Sequence, residues 1–350
     1  MAIRLICWQV PPAFSDDLLR YRWEGRLQAH GGNPYSVRPV DRPDLLRAED
    51  NRLPGRDFKA VYGPLLLWTE HLAYQVSGEN LLALRWPYAL ADLALLLLLA
   101  WRFRLGFLTY AWCPLPAFEF WSGGHNDSLC LLALALALWA FRAGRPRAAW
   151  IALGCAILTK WWPVLLIPLL AGRERRNWRD LCWIALPALP FLPLYWPRAI
   201  AENAQFASGF LGGWRNNDSL FGGLLWLTGG DLYRAKYLAF ALLAAWIAWL
   251  TFRPWTATHK ALAAVAGLLT LSANVHPWYV TWLLPFLVET PRMFGFVWLV
   301  LVPVTYETVI VWNSVGMWDG IRPSRWLVYA PVWLAIVLSS RRLPESTRTL

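Results

Sequence analysis

The stretch Leu93-Ala94-Leu95-Leu96-Leu97-Leu98-Leu99-Ala100 contains only apolar side chains, and similar runs recur at 131–140 and 237–250. Over all 350 residues, 57% are hydrophobic, 16% are charged and the mean hydropathy is +0.36. Soluble domains carry about 25% charged residues, so this chain is too apolar for one. The repeated apolar runs predict an all-α polytopic membrane protein.

Hydropathy divides the chain into nine candidate membrane spans. They cover approximately 80–101, 105–122, 127–142, 181–196, 236–252, 260–275, 278–290, 294–311 and 326–340. Of the 33 basic side chains 29 are arginine, and many of these lie in short loops between the apolar segments. Basic residues concentrate in the cytoplasmic loops of membrane proteins. The net charge of +11 therefore indicates topology and not nucleic-acid binding.

The segment 148–171 decides which side of the membrane the polar motifs face. Lys160-Trp161-Trp162-Pro163 interrupts it, and a proline at that place breaks or kinks a helix. A hairpin that returns to the same side keeps the arginines of 173–179 in the cytoplasm, whereas a single kinked span would push them outside. We prefer the hairpin, which makes 61–78 an interfacial or re-entrant helix. The polar motifs then share one extracytoplasmic site.

A cluster of charges follows the short apolar N-terminus, in Asp16-Asp17-Leu18-Leu19-Arg20-Tyr21-Arg22-Trp23-Glu24. In a helix Asp17, Arg20 and Glu24 lie on one face. A carboxylate beside a cation can take the proton of a hydroxyl group, which makes Asp17 the candidate general base. The alternative is an ordinary helix start, in which Ser15 or Asp16 caps the helix and Arg20 forms a helical ion pair.

The tetrapeptide Asn-Asp-Ser-Leu occurs twice, at 126–129 and 217–220, each time before an apolar run. Asn and Asp are good helix N-caps, which is the simpler explanation of both copies. Caps do not require the neighbouring His125, however, and Gly123-Gly124 would let a ligand approach the backbone. The candidate supporting residues of a site are His125, Asn126, Asp127, Asn217 and Asp218.

Two further polar residues interrupt apolar sequence. Lys160 is a rare lysine in a chain that mostly uses arginine, so phosphate binding is favoured over snorkelling to the interface. His276 opens His276-Pro277-Trp278-Tyr279, either as a helix-boundary residue or as a donor to a phosphate or sugar. Asp92 lies inside a candidate span and is expected to form an interhelical hydrogen bond.

The sequence contains neither a Gly-rich nucleotide loop nor a soluble segment large enough to bind a nucleotide sugar. An external transferase would therefore need a lipid-carried donor. The five cysteines lack metal-ligand spacing, so we interpret them as small core residues.

With these motifs the chain resembles the integral-membrane type C glycosyltransferases, and among them the bacterial polyprenol-phosphate-mannose-dependent mannosyltransferases. Residues 15–26 with Asn33-Pro34-Tyr35 are similar to their first external loop, and Tyr62-Gly63-Pro64 resembles their Tyr-Pro-Pro with Gly at the middle position. The motifs at 124–127, 217–220 and 276–279 match in order. The aminoarabinose transferases are more distantly similar, through Asp-x-x-Arg-Tyr-x-x-Glu at 17–24 and Leu-Thr-Lys at 158–160.

The resemblance implies a type C glycosyltransferase-like helical bundle with about 10–12 transmembrane helices. The whole of 1–350 would be a single domain. It would comprise a short or truncated first span at 1–14, an external catalytic loop with interfacial helices at 15–78, the bundle at 79–340 and a cytoplasmic tail at 341–350.

The implied activity is the inverting transfer of a sugar, with mannose favoured, from a polyprenyl-phosphate donor to an extracytoplasmic glycan or glycolipid at the bacterial inner membrane. Asp17 is the implied base, with Asp16 as its alternative. The residues expected to bind the donor and its phosphate are Arg20, Lys160, His276, Tyr62 and Glu24. Such a donor carries its own leaving group and requires no cofactor, although Asp16 and Asp127 could hold a divalent cation weakly.

Two other functions remain open at this point. A lipid-linked sugar flippase or transporter would need polar groups near the membrane midplane and towards both sides. An O-antigen-type ligase usually has a large external loop, and 197–235 is long enough to provide one. The predicted gathering of polar motifs on one side favours the transferase over the flippase.

Overall fold

The structure is a computed structural model that describes residues 1–103, 105–171, 178–192, 215–316 and 320–340. Within these ranges the regular elements are helices, and no strand is present. The α-helices are α1 (Ala2–Gln9), α2 (Asp17–Ala29), α3 (Pro64–Ser77), α4 (Leu81–Leu84), α5 (Trp86–Arg102), α6 (Phe107–Trp112), α7 (Pro114–Pro116), α8 (Asp127–Arg142), α9 (Pro146–Thr159), α10 (Ile167–Ala171), α11 (Leu220–Leu227), α12 (Leu232–Phe252), α13 (Ala257–Leu271), α14 (Pro277–Val280), α15 (Leu284–Leu287), α16 (Met293–Leu301), α17 (Glu307–Val315) and α18 (Arg325–Ser340).

Tighter or wider helical turns join several of these elements. A π-helical turn covers Ala117–Ser122, and 3₁₀ turns cover Pro39–Asp41, Pro43–Leu45, Ala48–Asp50, Trp162–Leu166, Leu181–Phe191, Thr281–Leu283 and Val302–Tyr306. Several predicted segments lie outside the described residues: the arginines at 173–176, residues 193–214 with the end of the predicted span 181–196 and the loop after it, and the predicted tail 341–350.

Among the described residues, three stretches are long and apolar enough to cross a membrane, namely Leu81–Arg102, Leu232–Phe252 and Met293–Val315. Shorter apolar helices accompany them in the described part of the chain, such as Pro146–Thr159 and Ala257–Leu271. The predicted all-α membrane fold is confirmed, whereas the number of spans stays a prediction. At 1.5 Å per residue, the 14 residues of α3 are too short to cross a hydrocarbon core of about 30 Å.

Proline divides segments that hydropathy predicts as continuous spans. The segment 105–122 breaks at Pro114 into α6, α7 and the π-helical turn, and 278–290 breaks before Pro285. Proline lacks the amide proton that continues a helix, so it stands at the first positions of the new helical turn. The predicted break in 148–171 is confirmed: α9 ends at Thr159, and Lys160 has extended backbone angles.

One large apolar core fills the bundle, with Trp150 and Trp298 among its fully buried side chains. A smaller cluster packs α2 against α3 through Leu18 and Leu66. Gly25 permits this contact, because a Cβ at that position would lie 2.6 Å from the carbonyl oxygen of Glu70. The helix that carries the first charged motif is therefore fastened onto α3.

The short helix α1 is held to the bundle by a buried ion pair. Arg4 Nε lies 2.6 Å from Asp92 Oδ2, and both side chains are fully buried. Tyr110 and Trp121 also donate hydrogen bonds to the Asp92 carboxylate, at 2.5 and 2.8 Å. The predicted interhelical hydrogen bond of Asp92 is confirmed. Since each carboxylate oxygen is partnered, the buried charge is compensated.

Candidate active site

The charged motif at 16–24 begins α2, and the side chains of its two aspartates point in different directions. Asp17 is the first residue of the helix, and its amide donates to Ser15 Oγ at 3.1 Å. Asp16 pairs with Arg52 at 2.9 Å and does not cap the helix with its side chain. The alternative in which Asp16 acts as a side-chain cap is wrong. Asp17 retains 30% side-chain exposure and faces the other polar motifs.

His125 lies beside Asp17 and is almost completely buried. Its Nδ1 is 3.6 Å from Asp17 Oδ2. The imidazole stacks on Trp278, with 3.9 Å between ring centroids and an angle of 17° between planes. The stacking fixes the plane of the imidazole, so the ring nitrogens point sideways towards polar neighbours. The structure thus brings together two motifs that are more than a hundred residues apart in sequence.

Asp127 and Lys160 form a buried ion pair next to this group. Lys160 Nζ lies 2.6 Å from Asp127 Oδ1, which also accepts a hydrogen bond from Trp282 at 2.6 Å. Asp127 Oδ2 has no hydrogen-bond partner among the described residues. The ammonium lies 5.2 Å from the centre of the Tyr279 ring. Asp127 therefore does not act as a side-chain cap, and Lys160 does not snorkel.

His276 is connected to the same group through an aromatic stack. Trp278 lies between His125 and His276, whose ring centroid is 4.3 Å from that of the indole. Asn216 Nδ2 lies 3.2 Å from His276 Nδ1. The motif at 276–279 thus joins the site, and Asn216 reaches it from the segment before α11.

Tyr62 lies at the edge of the site, where α3 approaches the end of α9. Its ring packs edge-on against Tyr21, whose hydroxyl accepts a hydrogen bond from Asn126 at 2.8 Å. Burial raises the pKa of Tyr62, and the nearby Asp17 carboxylate adds to the increase. A Cβ on Gly63 would lie 2.0 Å from the carbonyl oxygen of Leu158, so neither proline nor alanine fits there.

Arg20 and Glu24 hold the loop between α2 and α3 rather than facing Asp17. Arg20 Nε donates to Glu24 at 2.6 Å, and the guanidinium also bonds the carbonyl oxygens of Gly55 and Phe58 at 2.6 and 2.9 Å. Arg20 lies on the predicted face of the helix. The contact that it forms is the i,i+4 ion pair with Glu24, as the alternative interpretation of the motif predicts. Arg20 therefore connects α2 to residues 55–58.

Asn217 and Asp218 also stabilise the backbone, in a part of the molecule away from Asp17. Asp218 is fully buried and pairs with Arg215 and with Arg325, the latter at 2.9 Å. Asn217 has a φ of +49° and donates to the carbonyl oxygen of Val275 at 3.3 Å. The two identical tetrapeptides therefore differ in their surroundings: one supplies Asp127 to the site, and the other anchors α11 and α18.

Burial changes the ionisation of the groups in the site. It raises the pKa of Asp17 to about 6; the Lys160 cation opposes this increase, and the Asp127, Asp16 and Glu24 carboxylates add to it. Burial and the nearby Lys160 cation lower the pKa of His276 to about 3. The pKa of His125 is lowered well below its usual value by burial and then by Lys160. The site therefore combines a basic carboxylate with two neutral imidazoles near pH 7.

Sequence reasoning missed two residues that complete the group. Glu119 Oε2 lies 3.4 Å from His125 Nε2, and the hydroxyl of Tyr306 donates to Glu119 Oε1. Glu119 is 1% exposed. An ionisable residue within the apolar run 105–122 is a functional signal in itself, and it could have identified Glu119. Tyr306 gave no comparable signal.

The two carboxylates considered for a weak cation do not converge. Asp16 is paired with Arg52, and Asp127 is paired with Lys160. Among the described residues, no group of three or more His, Cys, Asp or Glu side chains is arranged to hold a metal ion. We therefore assign no residues to a metal.

Comparison with known proteins identifies relatives of the N-terminal half. Residues 2–173 match the MptA_B family, described as "Alpha-(1->6)-mannopyranosyltransferase, N-terminal domain". The chain is similar to alpha-(1->6)-mannopyranosyltransferase A of Mycobacterium tuberculosis, with 27% identity over 215 residues, which cover 55% of this chain and 42% of the relative. It is also similar to alpha-(1->6)-mannopyranosyltransferase Rv1459c of the same organism, with 28% identity over 134 residues, 35% of this chain and 23% of the relative.

No solved structure matches the chain significantly. The aligned part of the chain spans less than half the length of the curated relatives it matches. The resemblance to mannosyltransferases that the motifs predict is confirmed.

Proposed function

We propose that this chain, whose N-terminal half matches the alpha-(1->6)-mannopyranosyltransferase family, is an inverting mannosyltransferase. It transfers mannose from a polyprenyl-phosphate donor to a glycan or glycolipid acceptor. The observation that carries the proposal is the convergence of a basic carboxylate, Asp17, with His125 and the buried Lys160–Asp127 pair. This group lies where α2 of the first loop meets the bundle.

Asp17 is the proposed general base. Its carboxylate takes the proton of an acceptor hydroxyl as the acceptor oxygen bonds to the anomeric carbon. The bond from that carbon to the phosphate oxygen breaks, and its electron pair leaves with the polyprenyl phosphate. Asp127, the nearby carboxylate, is paired with Lys160 and bonded by Trp282, so we assign it to holding the ammonium and not to forming a covalent intermediate with the sugar. A single displacement inverts the anomeric centre.

Lys160 is the proposed contact for the phosphate of the donor. An ammonium has three N–H donors, and the contact with Asp127 uses one of them. The remaining donors can stabilise the charge that develops on the leaving phosphate. His276 and Tyr62 line the same region as neutral hydrogen-bonding groups. Arg20 and Glu24 contribute by holding α2 against residues 55–58.

The proposed location of this chemistry is the extracytoplasmic side of the bacterial inner membrane. The distribution of arginine in the loops supports it through the positive-inside rule. A lipid-carried donor supports it too, because nucleotide sugars are cytoplasmic molecules and the chain offers no nucleotide-binding motif. The convergence on a single basic carboxylate favours transfer over the flippase alternative. Residues 197–214 of the loop considered for a ligase lie outside the described residues.

Replacement of the two aspartates tests the proposal. Asp17→Asn keeps the shape of the side chain but removes its basic oxygen, so we expect the transfer rate to fall by about 10²–10⁴-fold. Asp16→Asn is the matched control, since Asp16 faces Arg52, and we expect a smaller loss. The measurement is mannose transfer from purified polyprenyl-phosphate mannose by the detergent-solubilised protein. Wild-type protein without transfer activity would contradict the proposal, and a larger loss in Asp16→Asn would assign the base to Asp16.

A further inference from the structure

A line of three side chains runs from the partly exposed Asp17 into the apolar interior. His125 stands in the middle, with Nδ1 3.6 Å from Asp17 Oδ2 and Nε2 3.4 Å from Glu119 Oε2. Tyr306 closes the inner end by donating its hydroxyl proton to Glu119 Oε1. Each oxygen of Glu119 therefore has its own neighbour, and the imidazole is the bridge between the two carboxyl groups.

The backbone is arranged to hold this line. Glu119 lies in the π-helical turn Ala117–Ser122, a rare conformation that often occurs at functional sites. The amide of His125 donates to the carbonyl oxygen of Glu119 at 2.9 Å. Gly124 between them has a φ of +69°, and a Cβ on Gly123 would lie 2.9 Å from His125 Cδ2. The turn thus brings the imidazole back onto the Glu119 side chain.

Glu119 is more stable as the neutral acid in this environment. Its side chain is 1% exposed, and the carboxylates of Asp127 and Asp17 act on it as like charges. Burial and like charges both oppose ionisation of a carboxyl group. Because Oε1 of the neutral Glu119 accepts from Tyr306, the acid proton is carried by Oε2, which faces His125 Nε2. The proton of the neutral imidazole must then reside on Nδ1, next to Asp17.

We propose that Glu119 and His125 are positioning residues for Asp17, an inference that rests on the proposed transferase function. Glu119 donates to His125 Nε2, His125 donates from Nδ1 to Asp17 Oδ2, and Asp17 Oδ1 is left as the oxygen that takes the acceptor's proton. His125 Nδ1 has no hydrogen-bond partner among the described residues at its distance of 3.6 Å from Asp17 Oδ2, so this contact must shorten when the acceptor binds. The completed chain of hydrogen bonds then fixes the direction of the basic lone pair. No proton leaves this line of side chains during transfer, because the acceptor's proton remains on Asp17 Oδ1 until the product departs.

The charged and titratable groups around this line come from several elements. Asp17 faces Lys160, Asp127, Asp16 and Glu24 in addition to His125; His125 also faces Lys160 and His276; Glu119 also faces Tyr306. Lys160 is the positively charged group that faces both Asp17 and His125, and all the variants below retain it. A change in pH dependence between these variants therefore reports on the hydrogen-bonded line itself.

The test compares two replacements of Glu119. Glu119→Gln keeps a neutral donor, because its oxygen can accept from Tyr306 while its amide group donates to His125. We expect kcat within about threefold of wild type, and an unchanged acid limb in the pH dependence of the rate. Glu119→Leu removes the donor, so we expect kcat to fall by about 10- to 100-fold with little change in the donor KM. The acid limb should move to higher pH, since Asp17 loses a hydrogen bond to its ionised form.

Glu307→Leu is the matched control, because Glu307 is adjacent to Tyr306 in sequence but lies at the surface, paired with Arg322. We expect its transfer rate and acid limb to equal those of wild type. Thermal unfolding of each variant separates loss of fold from loss of positioning. Equal losses in folded Glu119→Gln and Glu119→Leu would overturn the inference, since Glu119 would then act as an ion. An unshifted acid limb in Glu119→Leu would overturn it as well. Absence of transfer by wild type would instead contradict the proposed function.

Discussion

Lys160 shows how a single residue is placed by the end of a helix. α9 ends at Thr159, and the extended backbone of Lys160 directs its side chain to Asp127 at the start of α8. The pair is enclosed by aromatic rings, with Tyr279 and Trp282 close to the ammonium. A buried ion pair that loses one partner leaves an uncompensated charge. The stability of the protein and its proposed contact with phosphate therefore both depend on Lys160.

Lys160→Met should separate these two roles when it is combined with Asp127→Asn. The single replacement leaves the Asp127 carboxylate unpaired, and we expect it to cost about 3–5 kcal/mol of stability. The double replacement removes both charges and should recover much of that stability. If Lys160 binds phosphate, the catalytic efficiency towards the lipid donor falls by about 10- to 150-fold in both variants. The measurements are thermal unfolding and transfer kinetics at varied donor concentration. Unchanged donor kinetics in the double variant would contradict the phosphate role.

At this scale the sequence identified most polar residues of the site but not their contacts. Lys160, Asp127, Asp17 and His125 were all named as candidates, because charged residues in apolar surroundings are conspicuous. The pairing of Lys160 with Asp127 depends on how α8 and α9 pack, and that is decided by many apolar side chains together. Arg20 was assigned to the phosphate for its proximity to Asp17 in sequence, and the folded loop at 55–58 engages it instead.

The contact between α3 and α9 is the element-scale feature on which the site depends. Gly63 precedes α3 and packs against the carbonyl oxygen of Leu158, two residues before Lys160. The segment that carries α2 and α3 thus rests on the end of the helix that places the ammonium. Pro163 predicted the helix break within 148–171, since the missing amide proton has a local effect. The close approach at Gly63 could not be predicted, because it depends on a partner far away in the sequence.

Gly63→Ala tests this contact. A Cβ would lie 2.0 Å from the Leu158 oxygen, so α3 or the end of α9 must move, and we expect a loss of about 1–3 kcal/mol of stability with reduced transfer. Gly223→Ala is the matched control in α11, where no described atom lies within 4 Å of the new Cβ. We expect the control to keep full activity and equal or higher stability. Equal thermal unfolding temperatures for the two variants would show that α3 and α9 do not need the close contact.

At the scale of the whole molecule, the proposed site lies where α2 and the loop that follows it meet a helical bundle. The loop is held by ion pairs such as those of Arg22 and Arg26 with Asp50, both at 2.6 Å, and the bundle is held by its apolar core. Composition alone predicted the membrane fold. The number of spans did not follow from composition, because prolines divide the apolar segments and several helices are shorter than a full crossing.

The side of the membrane on which the site lies is accessible to cysteine labelling. Ala48, in the loop between α2 and α3, and Ala143, in the arginine-rich turn after α8, are both exposed and of equal size. In a Cys182→Ser background, which removes the exposed native thiol, a membrane-impermeant reagent should label Ala48→Cys in intact spheroplasts. Ala143→Cys should react only after permeabilisation, because Arg142 and Arg145 flank it and basic turns stay in the cytoplasm. The reverse pattern would place Asp17 on the cytoplasmic side. The site would then have access to nucleotide sugars, and the argument for a polyprenyl-phosphate donor would lose its physical basis.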